Sequence, residues 1–159
     1  MTRHRVYDPA PTQATSFRVR YAETDQMAVV YHANYLVWFE VARVELMRAA
    51  GVPYSAWEAR GFGLPVVEAH VRYIKPARYD ERLSVVARLV ERGHASLRIE
   101  YALWRESDAP SADATLLATG YTVHACVEIA SGRPTRLPDA LIGALEALVA
   151  APASSTPSE

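Results

Sequence analysis

From Ala33 to Ala50 the chain contains neither glycine nor proline, and it reads as one long helix that stops at Gly51, with Pro53 close behind. Leu36, Val37, Phe39, Val41, Val44, Leu46 and Met47 fall around most of its circumference, the pattern of a helix buried in a core. The flanking segments change to a period of two. Phe17, Val19 and Tyr21 alternate with Arg18 and Arg20 ahead of the helix; behind it come Val67, Ala69, Val71 and Tyr73, then Leu83, Val85, Ala87 and Leu89, then Leu97, Ile99, Tyr101 and Leu103. A fourth run spans Thr115 to Ile129, and Pro138 opens a short helix from Asp139 to Val149 with Leu141, Leu145 and Leu148 on one face. Lys75-Pro76 ends the first of the later strands and Arg92-Gly93 turns between the next two. Short turns cannot make parallel crossovers, so the sheet is largely antiparallel. The expectation is an α+β protein in which an antiparallel sheet of about five strands wraps one long central helix.

A chain of 159 residues is about one domain's worth. Half of its residues are hydrophobic and its net charge is −1, which argues against disorder and against a general polyanion-binding surface, so no nucleic-acid partner is expected. Residues 1–15, with Pro9 and Pro11, read as a flexible arm, 16–149 as the folded domain and 150–159 as a disordered tail. The basic N-terminus lacks an apolar stretch of the secretory kind. The apolar run near Ala140 to Ala151 is interrupted by Gly143 and Glu146 and falls short of the roughly 20 residues a membrane span needs. The single cysteine, Cys126, between Ala125 and Val127, reads as a buried thiol that suits a reducing compartment, and the cytoplasm is the expected location.

The segment joining the first strand to the long helix carries a carboxylate, Asp25, and delivers the chain to a helix start crowded with Tyr31, His32, Asn34 and Tyr35. An acid just ahead of the positive end of a helix dipole can work on a carbonyl carbon while the helix holds its oxygen. Taken singly, these residues have plainer readings. Asp25 can be a turn residue, His32 a packed or capping histidine, Tyr21 a core-facing strand residue and Asn34 a helix cap. Glu40 with Arg43 and Glu45 with Arg48 stand one helical turn apart, as ion pairs do. Ser55, Ser84 and Ser96 lack a GxSxG setting, and no HExxH or paired His/Cys spacing suggests a metal, so neither a cofactor nor a metal is expected.

Two segments, YAETDQMAVVYHANY from Tyr21 to Tyr35 leading into Phe39, Glu40 and Arg43, and VRYIKPARYD from Val71 to Asp80, carry a resemblance. The chain resembles the hotdog-fold acyl-CoA thioesterases, specifically the 4-hydroxybenzoyl-CoA thioesterase branch that includes the Tol-Pal-associated enzymes, from about Ser16 to Leu148. The resemblance implies that Asp25 is the catalytic carboxylate, that Tyr21 and His32 shape the site beside it, and that a backbone N–H near His32 holds the thioester oxygen. It also implies dimers joined edge to edge through their sheets, often paired into tetramers, with the site at the subunit interface. The family usually carries glycine where this chain has Ala28.

The implied activity is hydrolysis of an acyl-CoA thioester to CoA and a carboxylic acid, with Asp25 as nucleophile or as general base for water. Acyl carrier protein is the alternative carrier. Tyr31, Asn34 and Arg92 are candidate substrate contacts, and Arg60, Arg78, Arg133 and Arg136 join Arg92 as candidates for the phosphates of CoA. The rival expectations are a hotdog hydratase or dehydratase and a non-catalytic acyl-CoA-binding module.

Overall fold

At Gly120 there is no room for a side chain: a Cβ would stand 2.3 Å from the carbonyl oxygen of His70 and 2.5 Å from Cε2 of Phe39. The long helix presses onto the sheet at this point, with the Phe39 ring stacked on Tyr101 at 4.4 Å between centroids. The computed structural model describes residues 4–106 and 114–150. In chain order the elements are β1 (Arg5–Val6), β2 (Thr12–Arg18), a single 3-10 turn (Tyr21–Glu23), α1 (Asn34–Ala49), α2 (Tyr54–Ala59), β3 (Phe62–Gly63), β4 (Val66–Tyr73), β5 (Arg82–Arg92), β6 (Ser96–Arg105), β7 (Thr115–Ala125), β8 (Val127–Glu128) and α3 (Asp139–Ala150).

One antiparallel sheet runs β1-β5-β6-β7-β4, with β2 also paired to β5, and α1 lies across its inner face. The inward positions of the three central strands, Leu83, Val85, Ala87 and Leu89, Leu97, Ile99, Tyr101 and Leu103, and Leu117 and Ala118, are buried against Phe39, Ala42, Leu46 and Met47 of α1. The helix closes as anticipated: Gly51 has φ +78, its N–H donates to Arg48 O and that of Val52 donates to Met47 O, the paired bonds of a Schellman stop.

Several expectations are corrected. Residues 5–6 and 12–15 of the stretch read as a flexible arm are strand residues paired with β5, the latter continuous with 16–18 of the domain, and Tyr7 between them is buried, its hydroxyl donating to Glu146 of α3 at 2.7 Å. Burial and that carboxylate push the Tyr7 phenol up to about 12. Residues 151–159 of the expected tail lie outside the described residues. The first strand stops at Arg18 instead of running through Tyr21, because the chain there leaves β5 for the 3-10 turn. The last long strand breaks at buried Cys126, after which β8 pairs with β3. The segment after β4 is no hairpin either. Residues 74–81 carry the chain away from β4, which pairs with β7 at the far side of the sheet, to β5, with buried Ala77 receiving the N–H of Val30 on the way. Helix α2, held by the fully buried Trp57, had no distinct periodic signal.

Helix α1 is covered on one side only. Leu36, Val37 and Val41 are 40–49 % exposed, and on β4 Val66, Val67, Tyr73 and the adjoining Ile74 are comparably open. The sheet of one chain is too narrow to close around the whole helix, so apolar area remains on both elements.

Under α1 a polar chain crosses the core. Arg43 donates to the Tyr101 hydroxyl, which stands 2.6 Å from Thr122 Oγ1; Thr122 lies 2.8 Å from His124 Nε2, and His124 Nδ1 lies 3.0 Å from Leu64 O. The carbonyl can only accept, so Nδ1 carries the proton and each hydroxyl donates toward the imidazole. Burial first, then the charge of Arg43, hold the His124 pKa down at about 4.

Two expectations follow from these local energetics. Because the unfolded chain binds the His124 proton near pH 6.5 and the folded chain does so only near 4, this stability is complete above about 6.5 and is lost as pH falls toward 4, by roughly 3 kcal/mol. Urea unfolding of wild type and His124→Gln across that range will show the extra acid slope only in wild type. Ala28, in the loop before α1, has φ +61, where a Cβ is strained. Ala28→Gly should therefore raise the melting midpoint by about 2–4 °C and Ala28→Val lower it, as scanning calorimetry will read.

Candidate active site

The loop from Arg20 to Ala33 is folded on itself by backbone bonds. Asp25 N–H donates to Val29 O, Ala28 N–H donates to Asp25 O, Thr24 bridges Val30, and Tyr31 N–H reaches back to Glu23 O at 2.9 Å. The strained φ of Ala28 lies inside this turn, which explains why a glycine would suit the position. Asp25 Oδ1 accepts the N–H of Met27 at 2.8 Å, closing an Asx turn. Among the described residues no other hydrogen bond or ion pair reaches the carboxylate, which is partly exposed. The turn reading and the chemical reading of Asp25 are therefore compatible: one oxygen orients the group and the other is unengaged.

The loop ends on α1. Asn34, Tyr35 and Leu36 N–H groups already donate to Tyr31, His32 and Ala33 carbonyls. The N–H groups of His32 and Ala33 find no backbone acceptor among the described residues, so they are the donors left at the positive end of the helix. His32 is exposed; its ring lies 4.4 Å from that of Tyr31 and edge-on to Tyr73 at 6.5 Å. Its carbonyl accepts the Tyr73 hydroxyl at 2.8 Å, which fixes the peptide at the helix entrance. Burial raises the pKa of both Tyr73 and Tyr35, so both keep their hydroxyl protons. Beside this entrance lies an open groove of about 260 Å³ walled by Val29, Val30, His32, Tyr35, Tyr73 and Pro76.

The structure thus brings Asp25, Tyr31, His32 and Asn34 into one short segment, but gives some of them different tasks. Asn34 neither caps the helix nor points its amide outward: the amide donates to Glu23 O at 2.9 Å. Tyr21 is 76 % exposed on the 3-10 turn, with its ring edge against Tyr79 at 5.5 Å, so it lies at the rim and not in a core-facing strand. Arg92 does not join the group within this chain. It lies at the opposite end of β5, roughly 33 Å along the strand from Arg82, engaged with Tyr7 and Glu146. Of the other arginines, Arg78 reaches the loop, its guanidinium 3.4 Å from Ala28 O, whereas Arg136 is paired with Asp139. Tyr73 and Glu23 were not singled out by sequence. Tyr73 carried the signal of an inward strand position just ahead of Pro76; Glu23 carried none, being one acid in a polar loop. Among the described residues no three His, Cys, Asp or Glu side chains converge as metal ligands would, and no helix is long and apolar enough to cross a membrane.

Comparison with known proteins places the chain in a family. Residues 19–145 match the family described as the thioesterase-like superfamily. The Bacillus subtilis protein named "Putative acyl-CoA thioesterase YneP" is 39 % identical over 116 residues, covering 73 % of this chain and 80 % of that protein. The acyl-CoA thioester hydrolase YbgC of Escherichia coli O6:H1 is 30 % identical over 125 residues, covering 79 % and 89 %. The crystal structure of the hypothetical protein TT1821 from Thermus thermophilus superposes with a TM-score of 0.76 at 41 % identity, covering 85 % of this chain and 98 % of that one. With residues 19–145 matched to the family and 85 % of the chain superposed on a solved structure, this chain belongs to the thioesterase-like superfamily and has the hotdog fold.

Proposed function

We propose that the protein is an acyl-CoA thioesterase in which Asp25 acts on the thioester carbonyl and the His32 and Ala33 N–H groups receive the oxyanion. The observation that carries this reading is a carboxylate with one unengaged oxygen on the loop that runs directly into a helix start with two unengaged N–H donors. The names of its relatives support the substrate class. The acyl group enters the groove beside Tyr73, and Arg78 at the loop is the candidate for a CoA phosphate. Asp25 either takes a proton from water, whose oxygen then bonds to the carbonyl carbon, or bonds to that carbon itself to give an anhydride that water hydrolyses. In both routes the tetrahedral oxyanion collapses, the C–S bond breaks and CoA leaves as thiolate.

The working unit is a homo-oligomer built from a dimer. Support comes from β4, a sheet-edge strand whose Val66 and Val67 are open, and from the uncovered Leu36, Val37 and Val41 face of α1. Pairing of two β4 edges would continue the sheet and bring a second chain beside the groove. The buried, unpaired thiol of Cys126 is consistent with the cytoplasm.

Release of free thiol from short, long, branched and aromatic acyl-CoAs tests the chemistry. Asp25→Asn should lower kcat by about 100-fold or more on the best substrate while leaving the fold intact by circular dichroism; an unchanged rate refutes the role. Intact acyl-CoA bound without thiol release would instead identify a binding module. Sedimentation velocity tests the assembly: wild type should sediment at twice the chain mass or more and Val67→Lys should shift toward monomer, whereas a monomeric wild type rules the dimer out.

A further inference from the structure

Glu23 is a buried carboxylate, 5 % exposed, that neither side of the thioesterase reaction uses. Its Oε2 accepts the indole N–H of Trp38 on α1 at 2.7 Å. Its Oε1 accepts the backbone N–H of Arg20 at 2.8 Å and faces the Arg20 guanidinium Nε at 3.3 Å. Its own carbonyl accepts the N–H of Tyr31 and the side-chain amide of Asn34, each at 2.9 Å. One residue therefore holds the entry of the loop at Arg20, its exit at Tyr31 and the first two turns of α1. Trp38 is itself fixed, 3 % exposed and packed between Phe17 and Tyr35 with ring centroids at 5.0 and 5.1 Å.

We infer that Glu23 is the positioning residue of the site: its carboxylate locks the Asp25 loop to Trp38 of α1, setting Asp25 relative to the free N–H groups at the helix start. The inference rests on the reading of Asp25 given above. Asp25 stands on a turn whose internal bonds are local, and a local turn has no fixed position relative to the helix unless something outside it provides one. Besides Glu23, the backbone tie from Val30 N–H to Ala77 O reaches α1 only indirectly, through the segment after β4, where Ala77 N–H donates to the Tyr35 hydroxyl at 3.2 Å, and the Arg78 contact to Ala28 O leads to the same segment; Glu23 is the residue that joins the loop to α1 directly. The Glu23 carbonyl takes two bonds and its carboxylate three, and all but the two from Arg20 originate from Tyr31, Asn34 or Trp38, at or inside the helix start. A displacement of about 1 Å between a catalytic carboxylate and its oxyanion donors is enough to cost about 100-fold in rate. A buried carboxylate whose sole task was stability would leave that registry unaffected.

The test uses the full chain and four variants, Glu23→Ala, Glu23→Gln, Trp38→Phe and Asp25→Asn, each assayed well below its melting midpoint and normalised to folded protein. Steady-state thiol release from the best acyl-CoA gives kcat and KM, and backbone amide exchange by mass spectrometry reports residues 24–31 without reference to activity. Glu23→Ala should lose about 30- to 100-fold in kcat with KM changed less than about 3-fold, and exchange in 24–31 should accelerate at least about 10-fold. Glu23→Gln, which keeps one acceptor for Trp38, should recover a large part of both, and Trp38→Phe should fall between. If Glu23→Ala is unfolded, Glu23→Gln and Trp38→Phe carry the same comparison. A kcat within about 2-fold of wild type, or unchanged exchange in 24–31, overturns the inference. Full turnover in Asp25→Asn would sink the catalytic reading itself, whereas an inactive Asp25→Asn beside an unimpaired Glu23→Ala sinks the positioning role alone.

Discussion

The contact of α1 with the sheet at Phe39, Tyr101 and Gly120 governs the depth at which the helix lies, and most other features follow from that depth. The missing side chain at Gly120 lets the Phe39 ring settle flat on Tyr101 while the carbonyl of His70 approaches from the neighbouring strand. With the helix seated there, Ala42, Leu46 and Met47 face the central strands, and the N-terminal end of the helix reaches the edge of the sheet where Tyr35 meets Tyr73. A helix standing farther out would lose the Tyr73 hydroxyl bond to His32 O and with it the fixed peptide that precedes Ala33. Packing in the interior thus determines where backbone donors are presented at the surface.

The elements with strong periodicity were legible from sequence because their side chains record a simple one-sided environment. Residues 83–89 and 97–103 alternate cleanly since one face of β5 and β6 meets α1 and the other does not. Gly51 marked the end of α1 because a left-handed residue was required there. What failed to show was anything set by pairing across long separations. Thr12 to Thr15 are mostly polar and read as an arm, yet their backbone groups pair with β5, a contribution that side-chain chemistry does not report. The apolar residues of α1 signalled burial all round, but sequence does not say how much of that covering one chain provides.

At the site, the position of Asp25 and the proximity of the helix start were legible in the motif, and the departure at Ala28 coincided with a backbone angle that strains any Cβ. The division of labour among neighbouring polar residues was not. Asn34 holds the loop from beneath, Tyr21 sits at the rim and Arg92 is committed to Tyr7 and Glu146 at the other end of its strand. Each is the same residue type that a substrate contact would need, so chemistry alone could not separate the roles; direction of the side chain did.

The two borders of the sheet are unlike each other. Along β1 and β2 the border is polar and is interrupted at Pro9 and Pro11, whereas β4 is one uninterrupted segment with exposed Val66 and Val67 at its start, where the ladder with β7 shifts register. A sheet with one open and one blunted border can add a single neighbour and then has nothing left to offer, so the dimer proposed above would be a closed pair and would not propagate into a fibre. The residues read as a flexible arm thus cover the outer edge of β5 and leave β4 as the open border of the sheet.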